Sequence, residues 1–93
     1  MKYSVTATPQ ATREMEDLTP ELRRRMLEAF DVLESNPRPP GAIALRAELA
    51  GSYRVRVGDY RIGYKVDDRA HTVTVWKIGD RRHFYQRAKR RQK

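Results

Sequence analysis

The 93-residue sequence predicts an α+β fold: a strand, two helices, then a three-stranded antiparallel meander, with both helices on one face of the sheet. Three observations predict it. Tyr3, Val5 and Ala7 alternate with polar residues near the start. Two Thr-Pro pairs, Thr8-Pro9 and Thr19-Pro20, each open a helical stretch. Residues 53–78 then hold three alternating runs separated by turn residues. No repeat or long linker divides the chain, which reads as one domain over residues 1–93 with a basic tail over about 86–93.

The first helix is short, because the second Thr-Pro pair interrupts it. From Pro20, Leu22, Met26, Ala29, Phe30 and Leu33 follow helical spacing, so an amphipathic helix runs to about Ser35. The stretch Asn36-Pro37-Arg38-Pro39-Pro40-Gly41 cannot continue it and forms a loop. Residues 42–51 are ambiguous: Ile43, Leu45 and Leu49 suit a short strand or a turn packed under the sheet. The hairpin that follows turns at Gly58-Asp59, a two-residue signal for a primed turn. Counting from that turn pairs Val57 with Tyr60, Val55 with Ile62 and Tyr53 with Tyr64, all facing the core. Asp67-Asp68-Arg69 makes the next turn, and Thr72 to Ile78 the last strand, ended by Gly79-Asp80.

Formal net charge is +8, and its distribution is lopsided. Residues 1–52 hold seven Lys/Arg against eight Asp/Glu, whereas residues 53–93 hold thirteen against four. The excess in the hairpin and beyond points to a polyanionic partner, nucleic acid first and an acidic protein second. The chain has no cysteine, which favours a reducing compartment. With no apolar leader and no apolar run of membrane-spanning length, the expected location is the cytoplasm, away from membranes.

The hairpin carries the sharpest chemical signal. On its second face the register sets Arg56 across from Arg61 and Arg54 across from Gly63, with Lys65 farther along. Directly opposed cations destabilise a sheet by roughly 0.2–1 kcal/mol. Such a face is either an anion site or the ordinary solvated side of a sheet. Solvated faces mix signs, however, and the only acid between Ser52 and Val66 is Asp59 in the turn. Gly63 marks either a close approach of a ligand or relief around the bulky Tyr64.

A second cluster, Gly79 to Tyr85, brings Arg81, Arg82, His83 and Tyr85 after the last strand, where the chain can fold back over the cationic face. Each can contact a phosphate or move a proton, and histidine titrates near neutral pH. One histidine is more often structural than catalytic; its arginine and tyrosine neighbours make His83 a candidate. Two histidines and no cysteine give no spacing for a metal site, and no glycine-rich phosphate loop is present. Met15 and Met26 read as core, Arg23-Arg24-Arg25 as a solvated helix face, and Asp67-Asp68 as turn chemistry. The tail from Arg87 to Lys93 adds attraction without specificity.

The chain resembles the RelE/ParE superfamily of bacterial and archaeal toxins, and within it the RelE branch. Three pieces carry the resemblance: Asn36-Pro37 with Leu45 and Leu49-Ala50-Gly51, the run from Tyr53 through Arg61 to Tyr64, and the run from Gly79 to Tyr85. The resemblance implies the toxin of a type II toxin–antitoxin system, a ribosome-dependent endoribonuclease that needs no metal and no cofactor. It implies three partners: mRNA, the ribosome and an acidic RelB-like antitoxin. Carried over by position, it gives catalytic roles to Arg54, Arg56, Arg61, Arg81 and Tyr85, and RNA contacts to Arg46, with Lys65 and Arg82 beside them. Several members of the family carry lysine where this chain has Arg54 and Arg56. Arginine does not lose its proton in a protein, so these two supply charge and proton transfer falls to His83, Tyr85 or a ribosomal group. Asp80 stands where the family often places a basic residue. Two alternatives remain: ParE-like inhibition of DNA gyrase, and a non-catalytic basic RNA-binding module.

Overall fold

The structure is a computed structural model that describes residues 2–82 and residue 84. Strand β1 (Ser4–Ala7) leads into helices α1 (Pro9–Glu16) and α2 (Pro20–Ser35). A two-residue strand β2 (Ile43–Ala44) and a 3-10 turn over Ala47–Leu49 precede the meander β3 (Ser52–Val57), β4 (Tyr60–Asp67) and β5 (Thr72–Asp80). The strands lie in the order β1-β5-β4-β3-β2, with β1 parallel to β5 and the other pairs antiparallel. The α+β fold and its helical face agree with expectation.

Both helices begin as the sequence predicts. The Thr8 and Thr19 hydroxyls accept from the N–H groups of Ala11 and Leu22, and each is followed by proline at the first helical position. Their apolar faces cover one side of the sheet. Ala11, Met26 and Leu33 are buried there against Ile62, Tyr64, Val73, Val75 and Ile78, with Met15 packed beside them. Arg23 is not on a solvated face. Its guanidinium donates to the carbonyls of Met15, Glu16 and Leu18, capping the open end of α1.

The predicted hairpin register holds at every pair, Arg56 opposite Arg61 included. Gly58 takes a positive φ of 61° while Asp59 does not, the pattern of a type II′ turn. The ambiguous residues 42–51 supply both candidate forms: β2 extends the sheet and the 3-10 turn follows it.

The end of β5 departs from expectation. Gly79 and Asp80 do not stop the strand but stay paired with Arg61 and Tyr60. The register also slips between Gly63 and Tyr64: Gly63 faces Lys77 and Tyr64 faces Val75, which leaves Trp76 as a bulged residue. Val73 and Val75 point to the helices, and one extra residue lets Ile78 do the same. Trp76 and Lys77 are thereby both turned to the far face.

Candidate nucleic-acid interface

The face away from the helices is not the open row of four cations that the alternation suggests. Arg61 is only 5% exposed and Lys77 only 4%. Trp76 and Phe84 stack over the middle of this face, with ring centroids 6.0 Å apart. The indole N–H of Trp76 donates to the Ser52 hydroxyl at 3.1 Å, so the ring reaches from β5 across to β3. A Cβ on Gly63 would lie 3.0 Å from both Phe84 and Trp76. Gly63 therefore makes room for this aromatic pair; neither a ligand nor Tyr64 is what it relieves.

The aromatic ridge separates the cations into two groups. Toward the Gly58-Asp59 turn, Arg56, Arg61 and Gly79 form one row across β3, β4 and β5. The backbone N–H of Arg81 donates to the Asp59 carbonyl at 3.1 Å, which ties the segment after β5 to the same turn. Arg56, Arg81 and Arg82 are exposed, and Arg54 is half-buried one row back. At the other end Lys65 pairs with Ser52, and Leu45 donates to the Ser52 carbonyl, which brings exposed Arg46 there. Four residues of strand, about 13 Å, separate Ser52 from Arg56. Arg46 and Lys65 thus do not join the Arg56–Arg61–Arg81 group, although Lys65 shares its side of the sheet. His83 and Tyr85 lie outside the described residues.

Neither Arg56, Arg61, Arg81 nor Arg82 forms an ion pair with a described residue. Asp80 is near in sequence, but its pairing with Tyr60 puts it on the helix side of the sheet. Arg61 is the most unusual of the set. It is buried opposite another arginine, one terminal nitrogen reaches the Tyr60 carbonyl at 3.4 Å, and its Nε has no partner among the described residues. A buried donor left without an acceptor costs about 1–3 kcal/mol. An anion bound at this end would relieve the Arg56–Arg61 opposition.

Two ionic features were missed in the sequence. Lys77 is paired with Glu14 of α1, whose second oxygen accepts the Ile78 N–H at 2.8 Å on the edge that β1 leaves uncovered. The out-of-phase spacing of Val75 and Ile78 was the available signal that Lys77 would be buried. At the loop end, Arg38 grips Asp68 with two hydrogen bonds of 3.1 and 2.8 Å, and its Nε donates to the Tyr53 hydroxyl at 2.8 Å. The Tyr3 hydroxyl also donates to Asp68, at 2.7 Å. Asp67 does serve its turn, accepting from Ala70, but Asp68 is the centre of a clamp. The Arg38 and Tyr3 hydrogen bonds hold the Asp68 carboxyl down at about 2. The reciprocal bond raises Tyr3. Tyr64, buried beside Tyr53 and bonded to the Pro37 carbonyl, is pushed up to about 12 by desolvation.

A small α+β domain with a cationic sheet face is what this geometry defines, and comparison with known proteins narrows it. The family described as the ParE toxin of type II toxin–antitoxin systems (parDE) matches residues 5–85. Toxin RelG of Mycobacterium tuberculosis is 36% identical over 94% of this chain and all of its own length. A putative toxin RelE1 of Methanocaldococcus jannaschii is 32% identical over 92% of this chain and 98% of its own. Among solved structures, the RelBE2 toxin–antitoxin complex of M. tuberculosis contains a chain that superposes with a TM-score of 0.78 at 34% identity, covering 87% of this chain and 100% of that one. The archaeal RelE–RelB complex of Pyrococcus horikoshii gives a TM-score of 0.73 at 30% identity, over 87% and 97% of the two chains. The chain belongs to the ParE toxin family of type II toxin–antitoxin systems, within the RelE/ParE superfamily.

Among the described residues no helix is long and apolar enough to cross a membrane, and no three His, Cys, Asp or Glu side chains are grouped to hold a metal ion.

Proposed function

We propose that this toxin is a ribosome-dependent, metal-free endoribonuclease that cleaves mRNA during translation in the cytoplasm. The observation that carries the reading is the group Arg56, Arg61 and Arg81. These are cations without acidic partners among the described residues, gathered beside one turn, with a buried donor nitrogen unsatisfied. Such an arrangement suits a phosphate that gains charge during reaction. The ribose 2′-OH attacks the adjacent phosphorus, its proton passing to a base, and the P–O5′ bond breaks as an acid protonates the leaving oxygen. A 2′,3′-cyclic phosphate and a 5′-OH remain. Arg54, Arg56, Arg61 and Arg81 stabilise the developing phosphorane charge, while His83 and Tyr85 handle protons. Arg46, Lys65 and Arg82 hold flanking RNA, and the separation of Arg46 and Lys65 from the reacting group suits positioning better than chemistry. The sequence after β5 offers one histidine, His83, and no second to pair with it, which favours a reaction completed on the ribosome.

An acidic RelB-like antitoxin is the proposed cognate partner, since related RelE chains are solved in complexes with RelB. Charge attraction makes its association slow as salt rises.

The match to the ParE family favours one second reading, inhibition of DNA gyrase. Primer extension on mRNA after induction without antitoxin separates the possibilities. New 5′ ends confined to translated regions are expected. Intact mRNA with poisoned gyrase would establish the second reading, and RNA binding with neither effect would leave a non-catalytic module.

A further inference from the structure

Phe84 is only 1% exposed although it follows two exposed arginines at the far end of the described chain. Its ring lies against the place where Gly63 has no side chain and stacks on Trp76, which is itself held by Ser52. A Cβ on Gly79 would meet the Phe84 N and Lys77 Cε at ordinary contact distances of 3.6 and 3.4 Å, so the tight fit belongs to Gly63. The segment between is fixed at its other end by the bond from the Arg81 N–H to the Asp59 carbonyl. These two anchors, three residues apart, hold Arg81 and Phe84 to the sheet.

We propose that Gly63 is a positioning residue for the reaction: its missing side chain forms the notch that seats Phe84, and the seated ring sets where Arg81 stands relative to Arg56 and Arg61. Gly63 has no φ in the left-handed region, so no backbone requirement explains glycine in the middle of β4. Glycine there weakens the strand and is matched by what its absence of a Cβ admits. An added methyl 3.0 Å from both rings is tighter than ordinary contact, so one ring must give by a few tenths of an ångström. The indole is hydrogen-bonded and lies within the sheet's own strand, whereas Phe84 is carried on the segment after it; Phe84 is the one that yields. A shift of about 1 Å at a charge-stabilising group costs about 10²-fold in rate, so one of about half that costs about 10-fold.

The role assigned to Arg81 rests on the ribonuclease reading, so the test needs a measurement independent of cleavage. Hydrogen exchange of the Arg81 amide provides it, because that N–H is protected only while the segment is docked on Asp59. Trp76, the chain's one tryptophan, reports the ring stack by fluorescence. In Gly63→Ala, Arg81 amide exchange should accelerate at least 10-fold and the tryptophan emission should shift, while core amides of β4 and β5 stay protected. Saturated cleavage of ribosome-bound mRNA should fall at least 10-fold with KM within about 3-fold of wild type. Phe84→Leu in the same chain removes the ring atoms that the methyl meets, and should recover both protection and rate several-fold. Phe84→Ala alone, which leaves the sheet untouched, should reproduce the Gly63→Ala losses. An Arg81 amide as protected in Gly63→Ala and Phe84→Ala as in wild type overturns the proposal, as does diminished protection with an unchanged saturated rate. If wild type cleaves no RNA, the ribonuclease reading falls by itself, and the exchange and fluorescence data still decide whether Gly63 positions the segment.

Discussion

Arg38 and Arg61 stand at opposite ends of the same sheet and have opposite surroundings. Arg38 is exposed to water, yet it is matched by both oxygens of Asp68, by the Tyr53 hydroxyl and by the Tyr53 ring 5.1 Å away. Arg61 is buried, faces Arg56, and keeps a nitrogen without an acceptor among the described residues. Stability alone would favour the reverse, since a guanidinium needs a partner most where water is excluded. The clamp end ties together the proline-rich loop, β1 and the turn after β4, so its arginine serves the fold. The hairpin end holds charge in an unsatisfied state, which is what a site awaiting an anion requires.

The largest expected effects fall on the proton-handling residues proposed for the hairpin end. His83→Gln should lower the saturated cleavage rate by about 10²–10⁴-fold if His83 moves a proton, and the wild-type pH–rate profile should bend at about 6–7. Tyr85→Phe keeps the ring and removes only the hydroxyl. A near-normal His83→Gln beside a crippled Tyr85→Phe would move the proton-handling role to Tyr85.

Arg56→Ala should act mainly on binding. The side chain is exposed, and if it neutralises one phosphate, its removal should reduce the slope of log affinity against log salt by about one unit. Titration of ribosome binding at several salt concentrations reads that slope. An unchanged slope would separate Arg56 from the RNA.

At the clamp end the expected changes are in stability. Tyr64→Phe removes the donor to a buried Pro37 carbonyl and should cost about 1–3 kcal/mol in denaturant unfolding at neutral pH. Because burial raises the folded-state value from 10.0 to about 12, the stability tied to neutral Tyr64 is complete below 10 and is lost as pH rises toward 12. Tyr64→Phe should flatten that alkaline limb.

Asp68 gives the smallest effect and the opposite sign. Its folded value is lowered from 3.8 to about 2, so its contribution is present above 3.8 and lost as pH falls to about 2. Asp68→Asn should remove that acid limb while leaving the cleavage rate unchanged, which thermal melts between pH 2 and 5 and a single-turnover assay would check.

How legible each end was in the sequence follows from the same contrast. The hairpin register could be counted, because a two-residue turn fixes every later pair and an alternation error would have put Ile62 in water. The helix starts were legible because Thr-Pro satisfies both the cap and the first helical position. The burial of Arg61 was not, since parity puts it on the open face and nothing in the alternation shows the bulge that turns both Trp76 and Lys77 onto that face. The Arg38–Asp68 pair spans thirty residues and joins a loop to a turn, where no periodicity connects them. Lys65 looked like a companion of Arg56 because parity gives the face but not the distance along the strand, and Arg46 was named by resemblance alone, with no strand yet placed to locate it.

Single-turnover cleavage of ribosome-bound mRNA by Arg81→Ala and Arg38→Ala, measured side by side at saturating toxin, tests the division most directly. Arg81→Ala should lose about 10²–10³-fold in rate with an unchanged melting temperature, the size expected for removing one group aimed at a developing charge. Arg38→Ala should melt earlier and cleave at the wild-type rate. Equal rates for the two variants, or a larger loss for Arg38→Ala, would contradict the assignment of the hairpin end to chemistry and the loop end to the fold.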